Sequence, residues 1–189
     1  MMSGLLSELL VDARERMAKS VDSTRGEFST VRTGRASPAL LDRVSVDYYG
    51  AQTPLKQLAG ISASEARLLT ITPYDKSSIK SIEKSIMESG LGLTPSNDGN
   101  LIRLTLPELT EERRRELVKV VHGIAEQGRV AARNIRREVM GDLRELKKEG
   151  DVGADDEHRA ESELQRLTDD RTGEIDALLA AKEAEILDR

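Results

Sequence analysis

The stretch TEERRRELVKVVHGIAEQGRVAARNIRREVMGDLRELKKE, residues 110–149, decides the fold. Leu117, Val121, Ile124, Ala131, Ile135, Val139, Leu143 and Leu146 recur in it at steps of three, four or seven, the spacing that gathers side chains on one face of an α-helix. At about 1.5 Å per residue such a helix is roughly 55 to 60 Å long. No compact ball contains it, so its apolar stripe needs partner helices of similar length. Thr110 with Glu111 and Glu112 supplies a cap and an acidic first turn, Pro107 lies just outside, and Gly150 with Gly153 supplies the stop. Gly123 and Gly128 lie inside it. Gly128 falls on the apolar side, where alanine would favour the helix by about 1 kcal/mol, which predicts a softer segment there.

Two other stretches offer the partners. From Ser3 to about Val31, Leu6, Leu10, Ala13, Met17, Thr24, Phe28 and Val31 keep a heptad-like step with charges between them. After Gly153, Asp155 can cap a helix through about Leu187 that buries Ala160, Leu164, Leu167, Ile175, Leu178 and Ile186. Three long helices with apolar stripes make a three-helix bundle.

Residues 39–106 have a different texture. VSVDYY (44–49) alternates like a strand and ends at Gly50, and RLLTIT (67–72) is β-branched and ends at Pro73. PLKQLA between them reads as a short helical turn. Asp75 opens a helix to about Ser89 with Ile79, Ile82, Ile86 and Met87 on one face, and Gly90 closes it. LGLTPS and LIRLTLP flank Asn97, Asp98, Gly99 and Asn100, a hairpin turn. A small module that enters and leaves between two long helices is an insertion. The sequence therefore predicts an α+β protein: a long three-helix bundle from residues 1–31 and 107–189, and an inserted β/α/β domain from 32–106. Hinges are expected near 32–38, where Gly34 and Pro38 punctuate RTGRASP, and near 106–109.

Composition narrows the function. Of 189 residues 38% are apolar but only 2% aromatic, with no Trp, so the cores are aliphatic and no platform for stacking unpaired bases is expected. The absence of Cys excludes disulfides, thiolate zinc sites and Cys nucleophiles, and is compatible with a reducing compartment. No run of 18 apolar residues and no basic leader with an apolar core occurs, so a cytoplasmic protein without a membrane span is expected. The net charge of −5 is unevenly spread: +1 over residues 1–38, 0 over 39–106, +2 over 107–150 and −8 over 151–189. Local patches govern binding more than totals do.

Catalytic arrangements are missing. His122 and His158 lie on different predicted helices with no ligand spacing around them, there is no GxxxxGK[ST] loop, and Pro95 stands where a dinucleotide loop would need its third glycine. Acids at 155–157 and 169–170 read as a solvated helix face. Tyr74, Asp75 and Lys76 are the polar groups an enzyme reading of the α/β module would rest on; no catalytic residue, metal or cofactor is assigned. What remains is QGRVAARNIRR (127–137), with four Arg and no acid. Arg129, Arg133 and Arg136 fall within roughly 60° of one another, about 100 to 160° from the apolar stripe, with Arg137 at the edge. One reading is a solvated face, or one neutralised by the acidic third helix. The other is a row of guanidinium forks for phosphates, and with no aromatics the target would be structured nucleic acid read by backbone and shape. An adaptor whose helices pair with other coiled coils is a further reading.

Several motifs in one order then resemble a known family. VRTGRASPALLD (31–42), DYYG (47–50), TPLKQLA (53–59), LGLTPSNDG (91–99), LPELTEERRRELVK (106–119) and VAARNIRR (130–137) are similar to the bacterial ribosome recycling factor family, essentially end to end. The resemblance implies an L-shaped, non-enzymatic translation factor. It would bind the post-termination ribosome and, with elongation factor G and GTP, promote separation of the subunits. It further implies that the bundle contacts ribosomal RNA of the large subunit through Arg136, with Arg129, Arg133 and Arg137 beside it. Arg32, Thr33, Gly34, Arg35 and Pro38, with Leu106 and Pro107, would form the interdomain hinge, and a monomer is expected.

Overall fold

The computed structural model describes residues 4–187. The chain divides into two compact units, one made of the described residues up to Arg32 together with those from Glu111 on, the other Thr33–Thr110. Ser3, where the sequence would start the first helix, lies outside the described residues.

The first unit is three helices: α1 (Gly4–Thr30), α4 (Glu111–Glu149) and α5 (Ala154–Leu187). Side-chain pairs fix their directions. Arg16 meets Glu138 and Arg14 meets Glu163, while Arg129 meets Asp176 and His122 meets Glu183. Further along, Thr24 lies beside Gly128 at the place that Ile175 also reaches, so α1 and α5 run parallel, and α4 runs against both. Leu6, Leu10, Ala13 and Met17 pack with Ile135, Val139 and Leu143 and with Ala160, Leu164 and Leu167 at one end; burying each large aliphatic side chain is worth about 1.5–3 kcal/mol. At the other end Val21, Phe28, Leu117, Val121, Ala125, Leu179 and Ile186 are buried.

Three details depart from the sequence reading. The buried seam of α4 is Leu117, Val121, Ala125, Gly128, Ala132, Ile135, Val139 and Leu143; Ile124, Ala131 and Leu146 are only half-buried. Small residues, not the larger apolar ones, define the middle of the seam, and at Gly128 the side chains of Thr24 and Ile175 fill the space a larger residue would need. A Cβ on Gly128 would lie 3.0 Å from Ile175 Cδ1 and closer still to Thr24 Oγ1. Glycine stands at 128 because alanine does not fit. On α5, Leu179 and not Leu178 is buried, together with Thr168 and Glu157. Helix α5 begins at Ala154, so Asp155 lies within its first turn and not at its cap.

The second unit holds β1 (Ser45–Tyr48), β2 (Ala51–Pro54), α2 (Leu55–Leu58), β3 (Ala59–Glu65), β4 (Leu68–Pro73), α3 (Ile79–Glu88), β5 (Pro95–Asn97) and β6 (Ile102–Thr105). β1 and β2 form a hairpin, and the other strands form an antiparallel sheet in the order β3-β4-β6-β5. Helix α3 lays Ile79, Ile82 and Ile86 into a core with Val46, Leu69, Ile71, Ile102 and Leu104. Met87, placed on that face by the sequence reading, is 59% exposed, being one residue, or about 100°, past Ile86. β2 and β3 escaped the sequence reading. Their AQTP and AGISASE have almost no β-branched or aromatic residues, and pairing with β1 and β4 holds them extended.

Candidate nucleic-acid interface

The arginines of α4 are set by the seam beneath them. Because Ala125, Gly128 and Ala132 replace Ile124 and Ala131 as buried residues, the buried face turns towards the arginines by roughly 25°. That rotation separates the four guanidiniums into different environments.

Arg129 is drawn in, with 22% of its side chain exposed. Its Nε donates to Glu126 Oε2 at 2.9 Å and its Nη1 to Asp176 Oδ1 of α5 at 2.6 Å. Those bonds, first from Glu126 and then from Asp176, outweigh desolvation and raise its pKa further. Arg133 donates to the other oxygen of Glu126 at 2.5 Å. Glu126 is therefore shared, and donation from Arg129 and then Arg133 holds its carboxyl below the usual range. Arg136 is half-buried and donates to Gln165 Oε1 of α5 at 2.6 Å. Gln165 is a neutral amide, so the Arg136 charge is held in place without being cancelled. Arg137 is exposed and makes no ion pair among the described residues. The structure thus brings Arg129 and Arg133 together on one carboxylate, positions Arg136 by a neutral bond and leaves Arg137 open.

Sequence reasoning missed Glu126 and Asp176. Glu126 is visible as the acid three residues before Arg129 and seven before Arg133, spacings at which helix side chains meet. Asp176 lies 47 residues along the chain from Arg129 and only the bundle brings them together. Outside this row, His122 faces Glu183, and the buried Glu157, which the sequence reading placed among solvated acids, pairs with Lys147 across the α4–α5 turn. Among the described residues no group of three or more His, Asp or Glu is placed to hold a metal, and no helix is long and apolar enough to cross a membrane.

The residues expected at the hinge fall at the borders of the second unit. Arg32 is exposed and Thr33 buried. Gly34 has φ +75°, and a Cβ there would come within 3.1 Å of Leu109 Cγ, so both backbone and space call for glycine. Just inside, the Ala36 N–H donates to Ala66 O at 2.7 Å and the Leu106 N–H to Arg67 O at 2.8 Å. The turn after β3 therefore ties down both crossing segments. Pro38 begins a short 3-10 helix, Pro38–Leu41, and Leu106 is part of the core. Pro107 is exposed, and Arg67 pairs with Glu108 at 2.7 Å.

Comparison with known proteins gives one family. A family model described as ribosome recycling factor matches residues 24–187. The ribosome-recycling factor of Rubrobacter xylanophilus is 55% identical over 179 residues, covering 95% of this chain and 96% of that one. A solution structure of the ribosome recycling factor is similar over 100% of both chains, with a TM-score of 0.73 and 42% identity. A second solved structure is similar with a TM-score of 0.62 and 46% identity, over 96% of this chain and 98% of that one. It is described as models for the T. thermophilus ribosome recycling factor and the E. coli elongation factor G bound to the E. coli post-termination complex.

Proposed function

The chain belongs to the ribosome recycling factor family, and from that premise we propose that it acts on the post-termination ribosome together with elongation factor G and GTP, promoting separation of the subunits. It is a translation factor with no chemistry of its own, so its work is done by binding and by transmitting force. The bundle is the anchor and docks on ribosomal RNA of the large subunit through the arginine-bearing face of α4.

The observation that carries this reading is the state of the four charges. A guanidinium neutralised by two carboxylates has little to offer a phosphate, and separating it from them costs what they contribute. Arg129 is in that state. Arg136, oriented by Gln165 but not neutralised, and Arg137, unpaired among the described residues, keep their charge for phosphates. Arg133 is intermediate, because it shares Glu126. Arg136 and Arg137 are accordingly the principal phosphate contacts, with Arg133 and then Arg129 behind them.

The inserted unit is the moving part. Gly34, with its positive φ, and the exposed Arg32 lie before the bond that ties Ala36 to the β3–β4 turn, and on the return segment Arg67 of that turn also holds Glu108. Rotation is therefore assigned to bonds near Arg32 to Gly34 and beyond Glu108; Pro38, Leu106 and Pro107 lie on the side that turns with the unit. The protein works as a monomer in the cytoplasm, where ribosomes are recycled.

Light scattering from purified post-termination ribosomes, with elongation factor G and GTP, tests this. Wild-type protein should split them and Arg136→Ala should be impaired. Equal splitting by both moves the anchor off this face. No splitting by either, with a cognate elongation factor, favours an adaptor that pairs with other helices.

A further inference from the structure

The second unit carries an exposed feature that neither its core nor the arginine row explains. Tyr49 is 82% exposed and has φ +50°, the only non-glycine residue described with positive φ. Tyr48 pairs with Ala51, and the two-residue turn Tyr49–Gly50 that closes the β1–β2 hairpin takes positive φ at both positions, so the hairpin holds Tyr49 in a region that a bulky side chain seldom adopts. Its effect is on ring placement. Successive residues of a strand point to opposite faces, yet the rings of Tyr48 and Tyr49 lie 4.6 Å apart, edge to face at 74°. The left-handed residue at the end of β1 breaks the alternation and brings both rings to one side.

Asp75 fixes them there. Its carboxylate accepts from Ser77 N–H at 2.9 Å, Ser77 Oγ at 2.7 Å and the Tyr48 hydroxyl at 3.1 Å. Donation from Ser77, then from the Tyr48 and Tyr49 hydroxyls, holds its carboxyl below the usual range. On the turn itself Asp47 Oδ1 accepts the Gly50 N–H at 2.9 Å. The Tyr48 ring is thus held by its hydroxyl and by the edge-to-face contact while Tyr49 stays exposed, with the Asp75 carboxylate at the Tyr48 hydroxyl and the Asp47 carboxylate on the turn. The nearby ammonium of Lys76 is turned to Asn100 Oδ1 at 2.6 Å.

We propose that the Tyr48–Tyr49 corner of β1–β2 is a docking surface for an arginine side chain on a loop of a partner protein, the guanidinium lying on the open Tyr49 ring beside Asp47 and Asp75. An aromatic face attracts cations, and a planar guanidinium stacks on it while its N–H groups reach carboxylates. Charge complementarity excludes the other occupant of an aromatic shelf, an unpaired base, whose phosphates would sit against the same carboxylates. The surface is separate from the α4 arginines, and its failure leaves the reading of those arginines untouched.

Amide NMR of the full chain, titrated with acetyl-Gly-Arg-Gly-Arg-Gly-amide to millimolar concentration, tests it. Shifts should be confined to residues 47–51 and 74–77, with a matching change in tyrosine emission, since the chain has no Trp and three Tyr. Tyr49→Ala should weaken binding about two- to fivefold, the size of one exposed ring–cation contact, and Tyr49→Phe should retain it. Tyr49→Gly relieves the strained φ, so it should fold at least as well as wild type and still lose the peptide. The lysine version of the peptide should bind more weakly. Absence of shifts at 47–51, binding unchanged in Tyr49→Ala, or hexauridylate moving the same resonances more strongly than the peptide would each overturn the proposal.

Discussion

Gly128→Ala is the change on which sequence propensity and tertiary packing disagree in sign. Propensity alone gives the alanine variant about 0.8–1 kcal/mol more stability, because glycine loses more backbone freedom in a helix. Packing gives the reverse. The new methyl would lie 3.0 Å from Ile175 Cδ1 and inside that distance from Thr24 Oγ1, at a level where Thr24 is 4% exposed and Ile175 fully buried. Thr24 cannot turn aside freely, since its hydroxyl donates to Ser20 O at 2.9 Å and its β-branched χ1 has few helix rotamers. Overpacking of this kind costs about 1–3 kcal/mol. The net expectation is a loss of up to about 2 kcal/mol, after the propensity gain is subtracted. Thr24→Ala in the same chain should recover about 1–2 kcal/mol of that loss, so the double-mutant cycle should be non-additive. Urea unfolding followed by far-ultraviolet circular dichroism reports mainly the long helices, while tyrosine emission reports the second unit, where all three tyrosines lie. Hydrogen exchange should show protection running from Leu117 to Leu146 without a dip at Gly128. A variant stabilised by about 1 kcal/mol, or a Thr24→Ala effect that merely adds, would refute the claim that Thr24 and Ile175 leave no room for a methyl at this point.

Other expectations follow from the charge arrangement and the borders of the second unit. Arg136→Ala and Arg137→Ala should each lower the salt slope of large-subunit binding by about one unit, and Arg129→Ala by clearly less, as read by binding at several salt concentrations. Glu126→Gln should strengthen that binding by releasing Arg133. Because the Glu126 pKa is lowered from 4.5 in the folded chain, its ionised form contributes stability above that value and loses it as pH falls through the depressed one. The stability difference between wild type and Glu126→Gln, measured by urea unfolding at a series of pH values, should therefore shrink on acidification below 4.5. Gly34→Ala meets both a φ of +75° and Leu109 Cγ at 3.1 Å. It should destabilise the second unit by at least about 1–2 kcal/mol, seen in tyrosine emission, and Leu109→Ala should restore only the packing share.

The sequence by itself determined the elements whose signal is local. The heptad steps of α1, the long run of α4 and its stop at Gly150, the isoleucine face of α3 and the Asn97–Asn100 turn are carried by neighbouring residues, so three helices and an inserted sheet were legible in it. So was a concentration of arginine between 127 and 137. Tertiary structure decided what depends on distant segments. Strands β2 and β3 exist because β1 and β4 offer them hydrogen bonds. The seam of α4 turned to Ala125, Gly128 and Ala132 because Thr24 and Ile175 approach there. Asp176 on α5, 47 residues away, neutralises Arg129, whereas Gln165 leaves Arg136 charged. A sequence records which charges a helix carries; only the helices packed against it determine which of them stay free for a phosphate, because a charge's availability is set by the partners within a few ångströms and those come from elsewhere in the chain.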